Sequence, residues 1–311
     1  MNFEGRSRKT CDSVWAIAVA FAIAMTTVTA EQQKPAPAPT PATDAILNLQ
    51  IRLDRAGFSP GEIDGVSGAN TERALAAAKK AGKDVEADSA ETVVSHTITP
   101  EEVAGPFTEA IPKDLMEQSK LQALNYSSPL EALAEQFHCS QALLQKLNPG
   151  AKFAAGETIK VPNVMPRGGE DLAGPPVTIV VSKGNSSLTL VDDKGAVIFH
   201  APVTSGSEHD PLPLGKWAVT AVSRRPTFHY NPDLFWDANP THAKAKIPPG
   251  PNNPVGLVWI DLTREHYGIH GTPEPGKVGH TESHGCVRLT NWDALHVASR
   301  VRKGTTVLFE R

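Results

Sequence analysis

Residues 270–289 read HGTPEPGKVGHTESHGCVRL. His270 and Gly271 open this stretch, and Ser283, His284, Gly285, Cys286 and Arg288 stand near its end. A cysteine nucleophile needs a base to take its proton, and neutral imidazole fills that role near pH 7. It also needs N–H donors aimed at the oxygen that turns negative when a carbonyl is attacked. His270 is a free-standing candidate base. The tight, Gly-containing turn over 283–286 offers backbone N–H groups for the oxyanion. The residues between are rich in Gly and Pro, so they read as a loop that folds His270 back onto Cys286.

Working outward, the hydrophobic pattern around this stretch alternates with period two. Residues 177–181, 188–191, 197–203, 217–222, 257–262 and 306–309 are expected strands. Asp193-Lys194-Gly195 is a hairpin turn signal, and one convincing helix covers 291–301, with Asn291 as its cap. A Gly/Pro-rich boundary at 167–176 separates this region from what precedes it. Trp259 and Tyr267 fall on or beside strands and are expected in the core. Between the strands ending near 223 and starting near 256 lies an insertion, 224–254, that carries Phe228, His229, Tyr230, Phe235 and Trp236. Loops of this length are functional or disordered, and the aromatics argue for function. We read it as a lid, with Tyr230 and Trp236 as substrate-binding residues.

The His-Gly pair, the Gly/Pro loop, the Ser-His-Gly-Cys cluster and Arg288 together resemble the L,D-transpeptidase (YkuD-type) family over residues 176–311. The segment 250–256 is similar to a G-P-x-N-P-x-G run common in that family. The resemblance implies a mainly-β, β-sandwich-like catalytic domain acting on peptidoglycan. It implies Cys286 as nucleophile and His270 as proton donor and acceptor, oriented by the backbone carbonyl of Gly271. His284 then falls on the oxyanion side, Gly285 and Cys286 supply the oxyanion N–H groups, and Arg288 orients the pocket. Ser283 is read both as a hydroxyl that holds the turn and as a substrate contact. Pairing with His270 and the local N–H dipoles is expected to lower the Cys286 pKa. A carbapenem-type β-lactam is the expected inhibitor, no cofactor is implied, and no metal is assigned. The alternative of a zinc site built from His266, His270, His280, His284 and Cys286 lacks a carboxylate to act as general base.

The N-terminal half reads as modules. Arg6, Arg8 and Lys9 precede an apolar run at 14–25, and Val28-Thr29-Ala30 follow it. That is a signal peptide over 1–30, with an uncleaved membrane anchor as the alternative. Residues 31–43 form a Pro/Ala-rich tether. Residues 44–81 carry Leu49-Gln50, Gly57-Phe58, Pro60-Gly61, Ile63-Asp64-Gly65 and Gly68 to Thr71. These resemble the peptidoglycan-binding-like three-helix module, with Asn70 and Thr71 as candidate caps of its second helix. Residues 82–123 read as an acidic linker. Residues 124–164 resemble a LysM domain: two short helices, opened by Ser127-Ser128-Pro129 and by Ser140, then Leu147-Asn148-Pro149, then a closing strand through Ile159 and Val161. Residues 165–175 are a further linker. The fold class expected is therefore multidomain, with a small all-α module, a small α+β LysM-like module and the mainly-β domain.

The formal net charge is −4, and the basic residues form no stripe interleaved with aromatics, which argues against nucleic acid as a partner. Expected partners are peptidoglycan stem peptides and glycan, met in the periplasm or cell envelope. The membrane is met only through an uncleaved signal peptide. Cys139 and Cys286 remain after cleavage; a disulfide between them would consume the nucleophile, so Cys139 reads as a small buried hydrophobe. A non-catalytic wall-binding protein is the reading from another class.

Overall fold

The computed structural model describes residues 41–164 and 174–311. The signal peptide, most of the Pro/Ala-rich tether and most of the 165–175 linker lie outside the described residues. Among the described residues, no helix is long and apolar enough to cross a membrane.

Helix α1 (Pro41–Arg55) buries Leu47, Ile51 and Leu53. Gln50, only 2% exposed, sits among them. A buried amide must find partners, and this one organises the following turn. Its Nε2 donates to Asp64 Oδ1 (2.9 Å), the Val66 carbonyl (3.1 Å) and Thr71 Oγ1 (3.2 Å), and its Oε1 accepts from Gly65 N–H (2.8 Å). Helix α2 (Ala69–Lys80) starts from Gly68 without a side-chain cap. Asn70, expected as a cap, instead donates from Nδ2 to the Val278 carbonyl at 2.9 Å. Residues 41–81 hold two helices, where the resembled module has three.

The segment read as an acidic linker contains strand β1 (Val93–Thr97) and the short helix α3 (Leu115–Gln118). Helices α4 (Pro129–Gln136) and α5 (Gln141–Leu147) follow, capped by Ser128 and Ser140. Strand β2 (Thr158–Pro162) then returns antiparallel to β1, with Val93 opposite Pro162 and Thr97 opposite Thr158. The sequence Val-Val-Ser-His-Thr is half polar and becomes a strand only by pairing with a partner sixty residues away, which local pattern cannot reveal. The resulting β-α-α-β core, built on Leu133, Leu144, Ile159 and Val161, also takes in Leu47, Ile51 and Ile63. The two N-terminal modules thus share one core.

The mainly-β domain comprises β3 (Val177–Ser182), β4 (Ser187–Asp192), β5 (Val197–Pro202), β6 (Thr204–Ser205), β7 (Gly215–Arg224), the hairpin β8 (Phe228–Tyr230) and β9 (Ala245–Ile247), β10 (Val258–Leu262), β11 (Gly268–His270), β12 (Val287–Arg288), helix α6 (Asn291–Arg300) and β13 (Thr306–Glu310). Nine of these strands form one sheet in the order β5-β4-β3-β13-β7-β10-β11-β12-β6. Strand β7 belongs to both halves: residues from Gly215 to Ala218 pair with β13, and those from Val219 to Arg224 with β10. Both halves bury side chains in one cluster, Ile179, Leu190 and Phe199 from one and Ile260, Ile269 and Leu289 from the other, with Val297 and Ala298 from α6. Thr290, not Asn291, caps α6, its hydroxyl accepting from Asp293 N–H; Asn291 is left free for another task.

The edge strand β5 does not face water along its length. The loop after α1 lies against it: Ser59 N–H donates to the His200 carbonyl (2.8 Å) and His200 N–H to the Gly57 carbonyl (2.9 Å). An unpaired edge is a liability, and here the helical module covers it. Phe58 is fully buried among Leu53, Ala74, Ala78 and Val85 of the helical module, with Val197 of β5 packed beside them, worth about 2–3 kcal/mol of apolar burial. Ser59 Oγ also donates to Asp293 Oδ2 (2.8 Å), and His138 lies between Asp54 (3.2 Å) and the stacked ring of Trp292 (5.3 Å).

Candidate active site

The stretch read as a loop begins and ends in strands. His270 closes β11, flanked by Trp259 of β10 and Arg288 of the parallel β12. The Trp259 ring stacks on the imidazole, with centroids 5.4 Å apart. The His270 Nδ1–H donates to the Gly271 carbonyl at 2.6 Å, which leaves Nε2 as the lone-pair nitrogen. Burial, with the Arg288 charge adding to it and the Gly271 carbonyl opposing it, pushes the His270 pKa down to about 3. The ring is therefore neutral at ordinary pH and able to accept a proton.

Gly271 N–H donates to the Val258 carbonyl (3.2 Å), and its Cα side packs against Asn291. A Cβ at Gly271 would lie 2.3 Å from Asn291 Oδ1. That oxygen accepts from Leu257 N–H (3.0 Å), while Nδ2 donates to the Pro251 carbonyl (3.2 Å) and Glu135 Oε1 (3.3 Å). Asn291 therefore ties α6, the 250–257 loop and α4 to one another beside the backbone that orients His270.

The Cys286 turn is fixed by Ser283. Its hydroxyl donates to the Cys286 carbonyl (2.6 Å) and accepts from Gly206 N–H (2.7 Å). Gly285 has φ +96°, and a Cβ there would meet the Tyr267 ring at 2.5 Å. Cys286 is half-buried, and its thiol points toward the His266 carbonyl at 3.8 Å. Burial raises the Cys286 pKa; the Gly268 N–H and the Arg288 charge act in the opposite direction without overcoming it. The expected lowering is thus reversed, because desolvation of a thiolate outweighs the nearby dipoles. At rest the Cys286 thiol and the His270 imidazole are both neutral. Cys139, also a free thiol, is buried in the shared N-terminal core, and burial raises its pKa as well.

Cys286, His270, Arg288, His284 and Tyr230 line one cleft of about 1080 Å³. Trp259 and Tyr267, expected in the core, line it too. The 224–254 insertion bears the β8–β9 hairpin and lies beside the turn that carries Cys286. His284 Nε2 bonds to Asp237 Oδ1 (2.8 Å), and Phe235 packs edge-on against the His284 ring (5.1 Å). Two substrate-binding expectations change. Trp236, 60% exposed, stacks on His209 at 4.7 Å and is not among the cleft-lining residues. Ser283 is 4% exposed and has its hydroxyl engaged on both sides within the turn, so it faces no substrate. The residues of the zinc alternative are not assembled: His280 lies against Asn70 of α2 (3.3 Å), and among the described residues no three His, Cys, Asp or Glu side chains converge. Asp237 and Asn291 are site residues that sequence reasoning missed. Each acts across the fold, through partners 47 and 34 residues away.

Comparison with known proteins places this geometry. Residues 176–308 match the YkuD L,D-transpeptidase catalytic domain, and residues 43–82 match a putative peptidoglycan binding domain. A putative L,D-transpeptidase YkuD from Bacillus subtilis is 30% identical over 184 residues, which is 58% of this chain and 93% of that protein. The one from Bacillus licheniformis is 29% identical over 181 residues, 57% of this chain and 91% of its own length. An L,D-transpeptidase structure from Mycobacterium smegmatis aligns with 18% identity and a TM-score of 0.37, covering 51% of this chain and 75% of its own.

Proposed function

The chain belongs to the L,D-transpeptidase family, and we propose that it cross-links peptidoglycan through an acyl-enzyme on Cys286. The thiol attacks the carbonyl of the third residue of a tetrapeptide stem while His270 Nε2 takes its proton. The backbone N–H groups of Gly285 and Cys286 receive the oxyanion. Collapse breaks the peptide bond, and His270 returns the proton to the departing D-Ala amine. A side-chain amine of a second stem then attacks the thioester, giving up its proton through His270 as the thiol is released. The result is a 3→3 cross-link; one amide is exchanged for another, so no external energy source is needed.

The observation that carries this reading is the His270 Nδ1–Gly271 carbonyl bond of 2.6 Å. It fixes the tautomer, and with the depressed His270 pKa it leaves a neutral acceptor nitrogen in the cleft that holds Cys286. Arg288, half-buried on β12 in that cleft, orients the pocket. We further propose export through residues 1–30 to the cell envelope, and glycan binding by the LysM-like β1-α4-α5-β2 unit. The test is intact mass after exposure to a carbapenem, with muropeptide analysis alongside. The expected result is one adduct and stem-peptide dimers with the native chain, and neither with Cys286→Ala. Dimer formation by Cys286→Ala would defeat the assignment.

A further inference from the structure

The matched catalytic region starts at residue 176, yet part of the cleft's wall comes from before it. Leu115 lines the cleft. Leu124 is fully buried with Tyr230 and Ile247 of the lid hairpin, and Met116 packs beside them. Leu124 also exchanges backbone hydrogen bonds with the base of the lid: its N–H donates to the Pro249 carbonyl, and its carbonyl accepts from Asn252 N–H, both at 3.0 Å.

From this segment, Asp114 reaches the cleft through two hydrogen bonds in series. Asp114 Oδ2 lies 3.1 Å from His242 Nε2, and His242 Nδ1 lies 3.2 Å from the Tyr230 hydroxyl. Asp114 Oδ1 is used elsewhere, accepting from Met116 N–H (2.7 Å) and Glu117 N–H (3.2 Å) as the cap of α3. The His242 bond first, and then these N–H groups, hold Asp114 below the usual carboxylate range. An ionised carboxylate only accepts. In the neutral His242 ring the proton faces that carboxylate on Nε2, and Nδ1 is the acceptor. The Tyr230 O–H must donate to that nitrogen, so the Tyr230 oxygen keeps only lone pairs.

We infer that Asp114 and His242 are positioning residues that set Tyr230 as a hydrogen-bond acceptor for an N–H of the stem peptide. This rests on the proposed function for the identity of the ligand. Substituting Asp114→Asn keeps a capping side chain on α3 but offers His242 an N–H, which reverses the order: His242 Nδ1–H then donates to Tyr230, and Tyr230 donates into the cleft.

The test is calorimetric binding of a tetrapeptide stem to the Cys286→Ala protein, alone and with Tyr230→Phe, Asp114→Asn or both added. Each single change is expected to weaken binding about fivefold, the size of one net hydrogen bond, and the pair no more than Tyr230→Phe alone. His242→Gln provides a second route to the same comparison if Asp114→Asn alters folding. A stem whose third residue has an apolar side chain separates the two sources of an N–H. If Tyr230→Phe still weakens its binding, the partner is a backbone amide; if not, it is the side-chain ammonium. If Asp114→Asn costs as much in the Tyr230→Phe background as alone, the relay is only a brace and the inference is overturned. A stem that fails to bind the protein with only Cys286 replaced defeats the proposed function itself, a separate result.

Discussion

Replacing Ser283 by alanine removes both hydrogen bonds that hold the turn carrying Cys286. The lost partners are the Cys286 carbonyl (2.6 Å) and the Gly206 N–H (2.7 Å). With Ser283 4% exposed, water does not readily replace the hydroxyl. A buried group left unpaired costs about 1–3 kcal/mol, and a net hydrogen bond about 1 kcal/mol, for a total of about 2–4 kcal/mol. At about 2–4 °C per kcal/mol for a body of 150–250 residues, Tm should fall by about 4–16 °C. The same bonds fix the backbone of Cys286, the proposed nucleophile, so kcat should fall with it while KM for the stem peptide stays near its original value. Calorimetry and steady-state kinetics on one preparation measure both effects. Ser283→Thr keeps the hydroxyl and should recover most of each. A several-fold rise in KM with Tm and kcat unchanged would refute the reasoning, because it would put the hydroxyl on the substrate.

Alkylation of Cys286 by iodoacetamide should be slow at neutral pH and rise only above the ordinary thiol range, since burial raises this thiol and His270 does not hold its proton at rest; a plateau reached by pH 6 would indicate a resting thiolate. Burial, reinforced by Glu131 and Glu62 and opposed by Asn291, lifts the Glu135 pKa from 4.5 to about 8. The folded chain then keeps a proton that the unfolded chain releases, so stability should decline as pH rises from about 4.5 to 8, and Glu135→Gln should flatten the decline in denaturant midpoints; a flat native profile would count against it. Trp236→Ala removes the stacking on His209 at the tip of the 224–254 insertion without opening the buried Leu124–Tyr230–Ile247 cluster, so, if the insertion is a lid, hydrolysed tripeptide should rise relative to cross-linked dimer while carbapenem acylation is unchanged; equal losses in both would assign Trp236 a folding role.

Where sequence signals were local, they were legible. Ser128 and Ser140 sit at helix starts as short polar residues before apolar periods. The strands from 177 to 202 follow their alternation, and Asp192 closes the hairpin by accepting from Lys194 N–H and Ala196 N–H (3.0 and 2.8 Å). What stayed hidden depends on distant partners. Strand β1 exists because of β2, and β11 and β12 because the sheet closes around them; their few residues carry no period of their own. Asn291 reads as a cap because caps are commonly Asn, but Thr290 takes that place and the amide fastens the 250–257 loop beside Gly271. The sign of the Cys286 shift is illegible for a similar reason: Arg288, two residues away, favours a thiolate, whereas the burial of the sulfur that outweighs it is set by the fold.

The pairing of the 57–59 segment along β5, together with the contacts of Ser59 and His138 on α6, has a geometric consequence. The surface of the putative peptidoglycan-binding module and the sulfur of Cys286 are features of one compact unit. A wall strand gripped by that module would present its stems to the thiol at a set spacing, as work is presented to a tool held in a jig. The spacing of the new cross-links along the strand would then be written into the protein's own dimensions.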